Sequence, residues 1–368
     1  MRVLFVDDEP RVLEALERSL FQLDIEWDVS FASGGNQALA ELEQAPCDVI
    51  VSDMRMPGMD GAALLTQVCE KYPQTVRIVL SGQTDEAAAI RVVRVAHQFL
   101  TKPCSADVLK QVIERTQALK GWLSDARLQA VVGQLDHLPS TPRLFGELTK
   151  ALESENASAD FVADIVRQDP AMSSKILQVV NSSFFSSSSS ISDIRSAVVR
   201  LGLKTIRNLA LGVGAFDAVS KLNQPSASTI EALQARSLAI AKLAGRIAQG
   251  GEDADAAFMA GLVCDIGELV LAVDAPQSAD APAAPADFRE VTHAEVGAFL
   301  LGLWGLPFRI VEAVANHHSP GRNAHDRLGL PQIVWLASCL VRGEEPDAAY
   351  LERIGASNML PKIRGFLA

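Results

Sequence analysis

Three aspartates, one serine and one lysine stand at positions where their types and spacing could do chemistry: Asp7 with Asp8, then Asp53, Ser81 and Lys102. Each follows a short apolar run: VLFV before Asp7, VIVS before Asp53, RIVL before Ser81 and QFL just ahead of Lys102. Such runs read as buried parallel strands, and in an open α/β sheet ligands bind at the C-terminal edge of the strands. Three carboxylates gathered at one edge repel one another and cannot all stay ionised cheaply. A hard divalent cation removes the conflict, and Mg²⁺ favours one or two carboxylates completed by water and phosphate oxygens. Lys102 is a compact cation suited to a phosphoryl oxygen, and Ser81 supplies a hydroxyl donor. The set fits phosphoryl transfer with an aspartate as acceptor, a reaction that asks for positioning and charge neutralisation.

The elements that must carry these residues can be read from periodicity. Strands are expected at Val3–Val6, Val29–Ala32, Val49–Ser52, Arg77–Leu80 and Gln98–Leu100. Helices are expected at Arg11–Gln22, at Gly35–Gln44 and through Leu64 and Val68. This alternation predicts a doubly wound, five-stranded parallel sheet. From Ser105 to Gln134 helical spacing continues without a proline, as one helix running on into a linker. Leu109, Val112, Ile113, Thr116, Leu119 and Leu123 line one face of it. Packing on the sheet accounts for that face up to Leu119, and beyond it a dimer seam serves equally well.

LPSTP, Leu138 to Pro142, breaks the chain. Beyond it the periodicity is helical throughout: Ala159–Arg167, Ala171–Asn181, Asp193–Leu201, Leu203–Ala218, Thr229–Ala248, Ala256–Val273, Thr292–Leu303, Phe308–His317 and Leu330–Arg342. The serines at 186–190 read as a loop, the Ala- and Pro-rich stretch at 274–287 as an exposed insertion, and residues after Glu344 carry no clear pattern. The expected division is 1–120 for the first domain, 121–136 for a helical linker, 137–345 for an all-α domain and 346–368 for a tail.

The 368 residues carry a formal net charge of -12, which argues against a broad nucleic-acid interface. Arg200, Lys204 and Arg207 in RLGLKTIRNLAL invite a helix-turn-helix reading, but the acidic balance favours the solvated face of a packed helix pair. Cys47, Cys69, Cys104, Cys264 and Cys339 are scattered without a CxxC pair, as expected of reduced thiols. MRVLFVDDEP lacks the basic start and long apolar core of a secretory signal, and no apolar stretch is long enough to cross a bilayer, so a cytoplasmic location is expected.

VLFVDDEP, VSDMRMPGMDG, VLSG and FLTKP together resemble the receiver domain of two-component response regulators over roughly the first third of the chain. The resemblance implies a flavodoxin-like fold and a sensor histidine kinase as the source of a phosphoryl group for Asp53. It implies Mg²⁺ held by Asp8, Asp53 and the Arg55 backbone carbonyl, with Asp7 acting through water. Ser81 and Lys102 are then the readers of the phosphoryl group. Phe99 matches the switch aromatic, with the face around Val92, Val95 and Ala96 expected to respond to it. Lys102-Pro103 matches a bond that is usually cis in that family. The alternative, a degenerate receiver kept for dimerisation, is opposed by the match at all five positions.

Further on, VRQDPAMSSKILQVVNSSFF, SAVVRLGLKTIRNLAL, MAGLVCDIGELVL, HAEVGAFLLGLWGLP and VANHHSP resemble, as a set, the HDOD output domain, a helical relative of HD-type phosphohydrolases. HD enzymes build a metal site from a His on one helix, a His-Asp pair on another and later ligands. Here Arg236 stands at the first position and Cys264-Asp265 at the pair. An Arg brings positive charge to the place of a cation, so a degenerate site with no bound metal is expected. An Arg236–Asp265 ion pair is expected in the ion's place, leaving Cys264 to pack as a small apolar residue; the alternative, equally open, has Arg236 in solvent and Asp265 capping a helix. His293, His317 and His318 resemble extra ligand positions of the HD-GYP branch. With Cys264 and Asp265 they have the donor types for zinc, against a plainer role at helix ends. The resemblance implies a protein-binding output, a homodimer, and links to cyclic di-GMP enzymes. The rival readings are a residual metal-dependent HD phosphodiesterase and a DNA-binding regulator.

Overall fold

The computed structural model describes residues 1–23, 25–82, 92–93, 95–120, 123, 125–135, 138–154, 157–182, 190–212, 226–248, 254–274, 292–319 and 327–366. The serine loop at 186–189, the insertion at 275–287 and the end of the helix expected to reach Ala218 lie outside these residues. The chain divides into two compact units, one holding Met1–Asp136 and the other most of the remaining residues.

In the first unit β1 (Arg2–Val6), β2 (Asp28–Ala32), β3 (Val49–Asp53), β4 (Val76–Gly82) and β5 (Gln98–Lys102) form one parallel sheet in the order β2-β1-β3-β4-β5. Val3–Val6 and all of β3 are buried, as a parallel sheet covered on both faces requires. The first three helices are α1 (Pro10–Phe21), α2 (Gly35–Gln44) and α3 (Gly61–Lys71). Pro10 opens α1, where its missing N–H costs nothing. The Asp60 side chain caps α3 by accepting the Ala63 N–H at 2.8 Å.

The continuous helix expected from Ser105 to Gln134 is two helices, α4 (Ala106–Lys120) and α5 (Ala126–Gln134). The reason is local: Asp125 accepts the Arg127 and Leu128 N–H groups at 2.8 and 3.0 Å, and so starts a new helix. Leu109, Ile113, Thr116, Leu119 and Leu123 are buried, so the expected seam is not open.

The second unit is helical: α6 (Pro142–Glu153), α7 (Ala159–Val166), α8 (Pro170–Val180), α9 (Ile194–Arg207), α10 (Ala227–Ile247), α11 (Ala254–Val263), α12 (Ile266–Asp274), α13 (His293–Leu303), α14 (Phe308–Asn316) and α15 (Leu330–Arg342). The helix expected over Ala256–Val273 is α11 and α12, broken between them at Cys264 and Asp265. The break turns Asp265 out of a helical ladder and into the unit's interior, where it is 1% exposed. Past Glu344, α16 (Ala348–Arg353) and α17 (Leu360–Arg364) continue the chain, and Tyr350 accepts from the buried Gln332 amide at 3.2 Å. No described helix is long and apolar enough to cross a membrane.

Candidate functional site

The sheet brings the residues singled out in the first unit to one edge. Asp7 follows β1, Asp53 ends β3, and Ser81 and Lys102 lie at the ends of β4 and β5. Asp7, Asp53 and Ser81 are buried, while Asp8 and Lys102 are half-buried. The loops after the strands fix both carboxylates. Asp7 Oδ1 accepts the Glu9 N–H at 2.9 Å, and Asp53 Oδ2 accepts the Arg55 N–H at 2.9 Å. Each then turns its other oxygen to Lys102. The ammonium lies 2.6 Å from Asp7 Oδ2 and pairs with Asp53 Oδ1. Burial works against the Lys102 charge, but hydrogen bonds to Asp53 and Asp7 outweigh it and hold its pKa above the usual lysine value. Gly61, which opens α3, is required here: a Cβ on it would lie 2.3 Å from the Asp53 carbonyl oxygen. Phe99 is buried beside this edge in β5, and the Lys102-Pro103 bond is cis.

Arg77, read in sequence only as the start of a strand, turns out to be 1% exposed. Its guanidinium donates to the carbonyls of Val95 and Gly133 at 2.5 Å each and of Thr75 at 3.2 Å. It thereby satisfies a C-terminal carbonyl of α5, which no helical N–H can reach.

In the second unit, five separate stretches converge on Asp265. Arg236 of α10 places Nε 2.7 Å from Asp265 Oδ2, and Arg342 of α15 places Nη2 2.8 Å from Oδ1. The expected Arg236–Asp265 contact is therefore present, and Arg342 is a second guanidinium that the sequence did not announce. Glu268, one turn into α12, is the other addition. It lies 2.6 Å from Arg236 Nη2 and 3.1 Å from Arg342 Nη2. Burial opposes the Asp265 charge, yet His293, His317 and Arg236 together hold this carboxyl well below the usual range.

On the other side of Asp265 are the imidazoles. His293 Nε2 lies 3.2 Å from His317 Nε2 and 3.0 Å from His318 Nε2. Asp265 Oδ1 lies 3.4 Å from His293 Nε2 and 3.5 Å from His317 Nε2. Burial, and then the neighbouring His317 and His293, push His318 down to about 3, so it is neutral near pH 7. The approach of α12 to α13 sets this geometry. A Cβ on Gly267 would stand 1.9 Å from the His293 carbonyl oxygen, so only glycine allows His293 to come so near Asp265. Cys264 is fully buried, its thiol donates to the Gly261 carbonyl at 3.2 Å, and burial raises its pKa far above the usual value.

Of the basic residues in RLGLKTIRNLAL, Arg207 donates to the Leu152 carbonyl at the end of α6, so that guanidinium is engaged within the fold.

Two family models match the chain along its length. The response regulator receiver domain matches residues 3–114, and the HDOD domain matches residues 138–320. The chain is a receiver–HDOD response regulator. The Hydrogenase transcriptional regulatory protein HoxA of Cupriavidus necator is 36% identical over 162 residues, which are 43% of this chain and 32% of that protein. An uncharacterized protein of Treponema pallidum is 25% identical over 268 residues, covering 65% of this chain and 52% of that one. The chain thus spans about a third to a half of the length of these two curated relatives. Among solved structures, the MmoQ response regulator of Methylococcus capsulatus is 23% identical with a TM-score of 0.47, covering 62% of this chain and 98% of that chain. The strand-edge cluster lies in the receiver and the Asp265 cluster in the HDOD domain.

Proposed function

We propose that this response regulator accepts a phosphoryl group on Asp53, delivered by a sensor histidine kinase, and that its HDOD domain is a binding module rather than a hydrolase. The observation that carries the first part is the meeting of the Asp7 and Asp53 carboxylates on the Lys102 ammonium at the edge of the sheet. One ammonium cannot neutralise Asp7, Asp8 and Asp53 together, and the surplus donors are hard oxygens, so the residues fit Mg²⁺. Asp8, Asp53 and the Arg55 carbonyl are the proposed holders, with Asp7 acting through water. When bound, the ion supplies charge neutralisation for an incoming phosphoryl group.

The chain's own groups do the rest. The Arg55 N–H holds Asp53 Oδ2 and leaves Oδ1 as the atom that takes phosphorus. Lys102 already faces Oδ1 and passes to a phosphoryl oxygen once that group arrives. Ser81, on the neighbouring strand, donates its hydroxyl to another of those oxygens. Phe99, buried next to Ser81's strand partner Thr101, is the group that repacks when Ser81 moves.

For the HDOD domain, the guanidiniums of Arg236 and Arg342 on both oxygens of Asp265 oppose a hydrolytic metal centre. A protein-interaction output remains, with enzymes of cyclic di-GMP turnover as partners and a homodimer as the acting form.

The test is to incubate the purified full chain with acetyl phosphate and Mg²⁺ and to weigh it intact. One phosphoryl group per chain is expected, absent when Mg²⁺ is withheld and absent from Asp53→Asn. Incorporation that persists in Asp53→Asn refutes the assignment.

A further inference from the structure

We propose that α5 is a releasable latch: Arg77 and His97 hold it at the N-terminal ends of β4 and β5, and loading of Asp53 at the opposite ends of those strands loosens it. The inference rests on the reading of Asp53 as phosphoacceptor and adds the place where that event leaves the first unit. The helix lies between the receiver match, which ends at residue 114, and the HDOD match, which begins at residue 138.

The seat of α5 has little slack. Leu128 and Val132 are buried in it. Gly133 comes so near the turn after α3 that a Cβ on it would stand 1.9 Å from the Pro73 carbonyl oxygen. Gln74, in the same turn, donates Nε2 to the Ala126 carbonyl at 2.9 Å, at the other end of the helix. A helix of 9 residues is too short to hold itself in water, so its order depends on this seat.

The tie at the centre is a buried cation without an anion. Arg77 Nη2 donates to the Gly133 carbonyl at 2.5 Å and lies 2.9 Å from His97 Nε2, while Nε and Nη1 donate to the Val95 and Thr75 carbonyls. None of these partners is a carboxylate, and burial lowers the Arg77 pKa. His97 is buried as well, and it is fixed to the Arg77 backbone on both sides. Its Nδ1 accepts the Arg77 N–H at 3.1 Å, and its own N–H donates to the Arg77 carbonyl at 2.8 Å. A guanidinium held by neutral dipoles alone regains its hydration when it is released. Such a hold is near balance and answers to a small displacement.

The strands supply the displacement. Arg77 and Ser81 are at opposite ends of β4, about 13 Å apart at about 3.3 Å per residue. His97 stands just ahead of β5, which ends at Lys102. The two strands whose C-terminal ends meet the phosphoryl group therefore carry the tie at their N-terminal ends. β4 is paired along its length, to β3 on one side and β5 on the other, so it shifts as one piece. A pull on Ser81 is then felt at Arg77, where four contacts leave no room to follow.

The experiment uses the full chain and beryllofluoride with Mg²⁺ as the phosphoryl mimic, and reads amide exchange over 126–134. Loading should speed exchange there by about tenfold, and the same treatment of Asp53→Asn should leave it unchanged. Coupling is reciprocal, so whatever frees the latch must favour loading by the same factor. Gly133→Ala sets a methyl group against the Pro73 carbonyl and should bind beryllofluoride about tenfold more tightly by calorimetry, with fast exchange over 126–134 whether loaded or not. Gln74→Ala removes one bond from an exposed side chain, so the fold is kept, and it should move both readouts the same way by a smaller factor. Beryllofluoride that binds without altering exchange over 126–134 overturns the latch and leaves the reading of Asp53 standing. Variants that free α5 without tightening beryllofluoride overturn it too. If beryllofluoride does not bind at all, the reading of Asp53 falls and the latch with it.

Discussion

Replacing Asp265 by asparagine removes one charge from the centre of the HDOD cluster at almost constant volume. The carboxylate is 1% exposed and has a guanidinium on each oxygen, at 2.7 and 2.8 Å. Removing one member of a buried ion pair costs about 3–5 kcal/mol, because the partner is left charged and unpaired. Here the partners keep some water and keep Glu268: the Arg236 and Arg342 side chains are 28% and 19% exposed. That argues for the lower part of the range or just beneath it, about 2–3 kcal/mol. For a unit of this size each kcal/mol moves the melting temperature by about 2–4 °C, so a drop of about 5–10 °C is expected.

The assay is calorimetric melting of the full chain in chelator, at pH 7 and at more acid pH. The sign of the pH effect is fixed by the low pKa of Asp265 in the folded chain. The carboxylate contributes fully above its unfolded pKa of about 3.9, and the contribution is lost as pH falls further. The gap between parent and Asp265→Asn should therefore narrow below about pH 4. Adding Arg236→Met to Asp265→Asn should cost less than the two single losses summed. A melting temperature within about 2 °C of the parent at pH 7, or a gap that widens in acid, would show that Asp265 is not held as its geometry implies.

Asp169, fully buried at the start of α8, is the converse case: burial lifts its pKa to about 6 although it accepts from the Ala171 and Met172 N–H groups and from Gln234. Its stabilising contribution is complete below about pH 4 and lost as pH rises through about 6, a fall of about 3 kcal/mol that Asp169→Asn should flatten in urea titrations across that window. Gly267→Ala drives a methyl group into the His293 carbonyl, 1.9 Å from where its Cβ would sit, and should destabilise the HDOD domain by about 1–3 kcal/mol or more in the same melts; an unchanged transition would mean the helices part freely. Arg77→Met leaves the Val95 and Gly133 carbonyls without their donor, so amide exchange over 126–134 should quicken by about tenfold or more, and unchanged exchange there would remove Arg77 as the tie on α5.

How much of this was legible in sequence depends on the range of the signal. Val3–Val6 and Val49–Val51 are continuous apolar runs that lead directly or within one residue to an acid, and a buried parallel strand has hardly another pattern, so the strand-edge residues could be read directly. Ala106 to Gln134 misled because helix spacing persists across a stop that depends on Asp125 capping the next helix. Ala256–Val273 misled in the same way, since Cys264 and Asp265 suit a helix as well as the junction they form. Arg236 and Asp265 could be paired in advance through a resemblance and a charge argument. Arg342 and Glu268 could not, because nothing local distinguishes Arg342 from any basic residue in a last helical turn. The grouping of His293 with His317 and His318 was legible only through that same resemblance, because their close approach depends on Gly267 letting two backbones touch, which one sequence does not declare.

The two clusters face one electrostatic problem, acids crowded away from water, and resolve it differently. In the receiver the Asp7 and Asp53 carboxylates meet one ammonium, with the half-buried Asp8 next to Asp7 in the chain, so acids outnumber bases at that edge. On the function proposed above, such an excess of acid is what a divalent ion and, through it, a phosphoryl group would answer, and the site would be loaded and unloaded. In the HDOD domain two carboxylates meet two guanidiniums and the balance is already zero. Arginine does not give up its proton, so that balance is insensitive to pH over the range where the receiver works. On the reading proposed above, the receiver edge is thus suited to a transient ligand, and the HDOD cluster to a fixed balance of charge. A regulator with a reversible input and a binding output needs the two sites to differ in that sense.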